Sequence, residues 1–183
     1  MNTDDELQIR ELTKKWFEAW SPKSKPFTGE GFDQVFATQP NQILVFDNVK
    51  GGVVVLRSLK EYIDTWVPFM QAFSYWEISP EGEIEITADS NLAVSTFTWV
   101  SNGRFEDANV ATIRQHCTHV WRRISNQWRL VHEHLFQSLI GIHTQAQKRH
   151  HRYHTTEGVT HSCVGHKGGL GGIFKKHSFS EMV

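Results

Sequence analysis

Cysteine is nearly absent from this chain. Cys117 and Cys163 are the two in 183 residues, and they stand far apart with no CxxC spacing. That excludes a disulfide framework and a paired redox motif. No apolar run approaches the length of a membrane span, and the polar, acidic N-terminus does not read as a signal peptide. Charge of one sign is missing too: 19 Lys and Arg stand against 20 Asp and Glu, a formal net charge of −1. Such a balance gives no overall drive toward nucleic acid or anionic membrane. There is no phosphate-binding loop, no GxSxG and no metal-ligand spacing motif. Gly168-Gly169-Leu170-Gly171-Gly172 has glycines but no strand-to-helix context, and reads as flexible chain. These absences lead to an expected cytoplasmic protein with no nucleic-acid partner, no membrane partner, no cofactor and no assigned metal.

What is present is aromatic and orderly along residues 1–140. Thr3-Asp4-Asp5-Glu6 has the form of a capping box, and Ile9, Leu12, Trp16 and Trp20 follow at helical spacing up to Ser21-Pro22. Phe32, Val35 and Phe36 suggest a short second helix. Ile43 to Phe46 reads as a strand ending at Asp47-Asn48, and Gly51-Gly52 turns the chain into a short apolar strand over 53–56. Ser58-Leu59-Lys60-Glu61 is a second capping box. Leu59, Tyr62, Ile63, Trp66 and Phe69 then line one side of a helix that Pro68 kinks or ends. From Phe73 on, strands over 73–79, 83–87, 92–101, 108–124 and 127–137 are expected, with turns at Pro80-Glu81-Gly82 and Asp89-Ser90-Asn91. Helices first and a meandering antiparallel sheet after predict an α+β fold with helices packed on one face of a curved sheet.

Residues 141–183 differ. They hold seven of the eleven histidines, seven of the thirteen glycines, and six basic against two acidic residues. With few aliphatic side chains, this stretch reads as a flexible tail unable to offset the entropy of ordering. Truncation after about residue 140 is therefore expected to leave stability within roughly 0.5 kcal/mol.

The stretch Arg114 to His134 carries most of the functional signal. It reads as two strands joined by a two-residue turn at Ser125-Asn126. A simple register then places residues summing to 251 opposite each other: Arg123 with Trp128, Trp121 with Leu130, His119 with His132, Cys117 with His134. Because side chains alternate, these share one face. An apolar floor of Trp121, Trp128 and Leu130 beside Cys117, His119, His132 and His134 suits either a ligand pocket or an ordinary half-buried core. Three histidines and a cysteine could bind zinc only with a compact shell, which cross-strand neighbours alone do not ensure. The opposite face, with Thr118, Val120, Val131 and Glu133, is mixed enough to suggest a homodimer contact.

The whole pattern resembles the SnoaL-like branch of the nuclear transport factor 2-like superfamily, over roughly residues 6–137. The resemblance rests on a strand ending in Phe46-Asp47, Gly52, Tyr62 and Trp66 in a Tyr-x-x-x-Trp helix, and the closing T-x-V-W-R-R…W-x-L-V-H-E-H hairpin. It implies a cone: a strongly bent sheet wrapped around N-terminal helices with a pocket between. The superfamily also holds ketosteroid isomerase, scytalone dehydratase, polyketide cyclases and the association domain of calcium/calmodulin-dependent kinase II. Family hairpins commonly continue H-x-H-x-S, whereas Leu135 and Phe136 follow His134 here. His116 replaces an arginine common two residues before the threonine, and His119 stands where the kinase association domain has a pocket arginine.

Asp47, at the end of an apolar strand, is the candidate general base; the competing reading is a turn aspartate capping Asn48 to Gly51. His132 and His134 are candidate acid/base partners. Trp16, Trp20, Tyr62, Trp66, Cys117, His119, Trp121 and Leu130 are candidate ligand-binding walls, with core packing as the alternative. Two functions fit: an isomerase, cyclase or dehydratase of an apolar carbonyl compound, or a non-catalytic ligand-binding or oligomerisation module.

Overall fold

A computed structural model of the chain describes residues 3–49, 52–107 and 109–137. The expected tail, and the glycine run within it, lie outside the described residues, as does the side chain of Thr3. Helix α1 spans Thr3–Ala19 and α2 spans Leu59–Met70, with a single 3-10 turn at Phe32–Gln34 between them. The strands are β1 Leu44–Val49, β2 Gly52–Leu56, β3 Phe73–Asp89, β4 Leu92–Phe105, β5 Val110–Ala111, β6 Arg114–Ile124 and β7 Gln127–Gln137. They form one sheet in the order β2-β1-β7-β6-β4-β3, with β5 on β4. The sheet is antiparallel apart from the β1–β7 pair, which is parallel. This is the α+β architecture expected, with helices against one face of the sheet.

The helices form for local reasons and are held by burial. In α1, Ile9, Trp16 and Phe17 are buried, and Trp20 just beyond its end is buried with them. In α2, Tyr62, Trp66 and Met70 recur every fourth residue on the covered side. Its start is capped as expected: Ser58 Oγ accepts from Glu61 N at 3.1 Å. The Glu61 carboxylate reaches back one residue further, accepting from Arg57 N at 2.7 Å. Pro68 does not end α2, which runs on to Met70. Trp16 meets Phe97 of β4 and His119 of β6 edge to face, so α1 lies over the middle of the sheet.

Two strand expectations are corrected. Pro80-Glu81-Gly82 is no chain reversal. It is an irregularity inside one long strand, β3, where the register to β4 shifts between Glu81 and Glu85 and Gly82 takes φ 81°. Similarly, the stretch 108–124 is not continuous, since Thr112 and Ile113 separate β5 from β6.

The third correction bears on function. The turn at Ser125-Asn126 is present, with φ 48° and 63°, the two left-handed residues that a two-residue hairpin turn requires. Near the turn the register is as expected, with Arg123 opposite Trp128 and Trp121 opposite Leu130. Beyond it the register slips between Val120 and Trp121 and leaves Val131 as an extra residue in β7. A one-residue slip moves every later side chain to the other face. His119 therefore faces Glu133, and Cys117 faces Leu135. His132 pairs with Val120 and His134 with Thr118 on the far side of the sheet.

Candidate functional site

The inner face of the hairpin delivers a buried polar chain. Glu133 and His119 are both 0% exposed, and His119 Nε2 lies 3.0 Å from Glu133 Oε2. Tyr62, from α2, donates its hydroxyl to Glu133 Oε1 at 2.9 Å. Trp20 in turn donates its indole N–H to the Tyr62 oxygen at 3.0 Å. Each carboxylate oxygen of Glu133 thus has a partner, which is what a buried charge requires. Burial, followed by the charges of Glu133 and Asp47, raises the Tyr62 pKa well above the usual phenol value. The Tyr62 proton is committed to Glu133 in this arrangement.

Asp47 enters the same interior from β1. It pairs with Val54 of β2 inside the strand, which continues to Val49, so it is not a turn residue. Its Oδ1 accepts from Asn48 N at 2.7 Å, while its buried Oδ2 has no hydrogen-bond partner among the described residues. Burial raises its pKa well above the ordinary carboxylate value, the charge of Glu133 adds to this, and the Asn48 N–H opposes it.

A cavity of about 40 Å³ opens beside Asp47, walled by Trp16, Trp20, Trp66, Trp76 and Trp99. Phe69 and Met70 close it on the α2 side. Of the candidate ligand-binding residues, Trp16, Trp20 and Trp66 line this space. Tyr62, Cys117, His119, Trp121 and Leu130 are buried in the core behind it. Trp121 is tied there by its indole N–H to Ser95 Oγ at 2.9 Å.

His132 and His134 are not brought to the cavity, because the extra residue Val131 turns them outward. Half-buried His132 sets its Nδ1 2.7 Å from the Leu44 carbonyl oxygen, and exposed His134 packs near Phe46. Glu133 was expected on the outer face and instead occupies the centre. Trp76 and Trp99 were also missed as cavity walls. Their alternation with Ile78 and Phe97 was the available signal; for Glu133 there was none.

Among the described residues, one group of donors could hold a metal: Cys117, His119 and Glu133, each offering an atom within 4.8 Å of the others. The Cys117 thiol is pushed well up by burial, then by the charges of Glu133 and Asp47. Among the described residues no helix is long and apolar enough to cross a membrane.

The model of the SnoaL-like domain family matches residues 9–138. The fold is similar to a nuclear transport factor 2-like superfamily protein from Salmonella enterica serovar Typhimurium, with TM-score 0.65 and 17% identity over 76% of this chain and 95% of the other. A provisionally assigned dehydratase of the same superfamily from Streptomyces avermitilis gives TM-score 0.61 and 15% identity over 76% and 100%. A calcium/calmodulin-dependent kinase II association domain, also provisionally assigned, from Xanthomonas campestris gives 0.55 and 12% over 72% and 86%. No curated protein matches the chain.

Proposed function

The chain belongs to the SnoaL-like family, and from that premise we propose that it is a small-ligand enzyme that isomerises, cyclises or dehydrates an apolar carbonyl compound, with Asp47 as general base. The observation that carries this is Asp47 itself. A carboxyl group with raised pKa, one oxygen without a partner among the described residues and a place in an aromatic cavity wall has what a proton acceptor needs. Asp47 would take a proton from the carbon beside the carbonyl and return it to another carbon, or to a departing hydroxyl. The tryptophan walls suit the apolar body of such a ligand. A cytoplasmic setting belongs to the same reading, supported by two cysteines with no disulfide pattern.

Cavity size favours a second reading, a non-catalytic ligand-binding or oligomerisation module. Drug-sized ligands occupy roughly 300–1,000 Å³. The space here is about 40 Å³, so Phe69, Met70 or a tryptophan must move to admit more than a few waters. The test is turnover of a panel of enolisable carbonyl compounds by the wild-type chain and by Asp47→Asn, which keeps the shape. The expected result is a loss of roughly 10²-fold or more. Equal turnover in both would remove Asp47 from the chemistry, and ligand binding without turnover would favour the module.

A further inference from the structure

We propose that Cys117, His119 and Glu133 form a binding site for one divalent metal ion of the zinc class. The register slip creates this group. Cys117 and His119 are alternate residues on β6 and share its inner face, and Val131 brings Glu133 directly opposite His119. A thiol, an imidazole and a carboxylate are the donors of borderline-soft divalent ions, zinc foremost. Strands β6 and β7 lie in the middle of the sheet, so the three backbones are held by neighbours on both sides.

The spacing is close to what a small ion needs. Tetrahedral zinc bonds of about 2.0–2.3 Å place donors roughly 3.3–3.8 Å apart. His119 Nε2 and Glu133 Oε2 already lie 3.0 Å apart, and the Cys117 sulfur falls inside the 4.8 Å group. The carboxylate is also held from behind: the Trp20–Tyr62 chain occupies Glu133 Oε1 and leaves Oε2 toward His119. A metal-binding carboxylate is ordinarily anchored in this way.

Burial points in the same direction, since all three donors are withdrawn from solvent. Two carboxyl groups, Asp47 and Glu133, and the Cys117 thiol are buried together. Among the described residues, His119 is the one basic side chain hydrogen-bonded into this group. Buried anions without a compensating cation are costly. A dication supplies the compensation, and it would bind Cys117 as the thiolate with release of its proton.

The test is a cobalt(II) titration of the full chain, because a thiolate-to-cobalt charge-transfer band reports sulfur ligation alone. Histidines of the 141–183 segment that take up cobalt do not produce that band, and Cys163 is the other sulfur that could. We expect a band that saturates at one equivalent, persists in Cys163→Ser, disappears in Cys117→Ser and is displaced by zinc(II). Zinc affinity should fall at least tenfold in Glu133→Gln. Cys163→Ser alone decides the matter if Cys117→Ser does not fold, since Cys117 is then the only thiol left. A wild-type chain without a band, or a band abolished by Cys163→Ser, overturns the proposal.

Discussion

Asp5 and Asp47 are both buried aspartates, and their surroundings give them opposite roles. Asp5 accepts from the Arg123 guanidinium and from the Trp128 indole N–H, while Arg123 stacks over the Trp128 ring at 4.6 Å. That carboxylate joins α1 to the hairpin. Among the described residues, Asp47 has one N–H, from Asn48, and no cation. Its raised pKa has a consequence for stability. The unfolded chain releases this proton near the ordinary value of about 3.9, and the folded chain holds it to higher pH. Between those two values the folded state binds more protons, so stability falls as pH rises through the folded-state value and is full below the unfolded one. Asp47→Asn removes the titration. It should be more stable than wild type at neutral pH, and the advantage should shrink as pH is lowered toward about 4. Urea unfolding at the two pH values measures this. An advantage that grows on acidification would mean that Asp47 is ionised and well paired in the folded protein.

Strand pairing sets the shape of the cavity. Trp76 on β3 lies against Gly103 on β4, and a Cβ at Gly103 would sit 2.7 Å from the Trp76 ring. The missing side chain is what lets this indole lie flat and wall the cavity. Gly103→Ala should displace Trp76, cost about 1–3 kcal/mol and change the near-ultraviolet circular dichroism of the tryptophans; an unchanged spectrum would show that the ring does not depend on this contact. Gly103 has no signature in sequence, since nothing local distinguishes it from a turn glycine. Other elements were legible because their cause is local. The α1 and α2 stripes follow from the spacing of Ile9, Trp16, Tyr62 and Trp66, and the Ser125-Asn126 turn follows from two small polar residues between apolar strands. Asp47 and three of the cavity tryptophans could be placed by the same patterns. The bulge could not, because Val131 sits in a run, Leu130-Val131-His132-Glu133-His134, that pairs plausibly in either register. Its position depends on the parallel β1–β7 pairing, where Val45 meets Glu133, and on the helices that cover the inner face. Reading through it exchanged Glu133 for His132, and with it the centre of the site.

At the scale of the whole molecule, the outer face of the sheet is the part that the other described residues leave uncovered. The bulge changes its membership: Val131 and Glu133, expected there, are buried on the other side, and His132, His134 and Phe136 replace them. Val53 is 74% exposed, Val55 42% and Phe136 64%. Val55 pairs with Phe46, which pairs in turn with His134, so the exposed apolar groups of β2 and β7 flank one continuous row. Apolar side chains gathered on one sheet face, rather than scattered singly, mark a contact surface. A second copy of the chain is the expected occupant, since a two-fold contact places the same patch on both partners. A stable dimer needs about 800 Å² from each partner, more than three side chains provide, so Thr118, Val120 and the outward histidines must be included. Sedimentation velocity at neutral pH should give a dimer that dissociates in Phe136→Glu, with the circular dichroism of the fold retained. A monomer at high protein concentration, or a dimer indifferent to Phe136→Glu and Val53→Lys together, would mean that this face meets something other than its own copy.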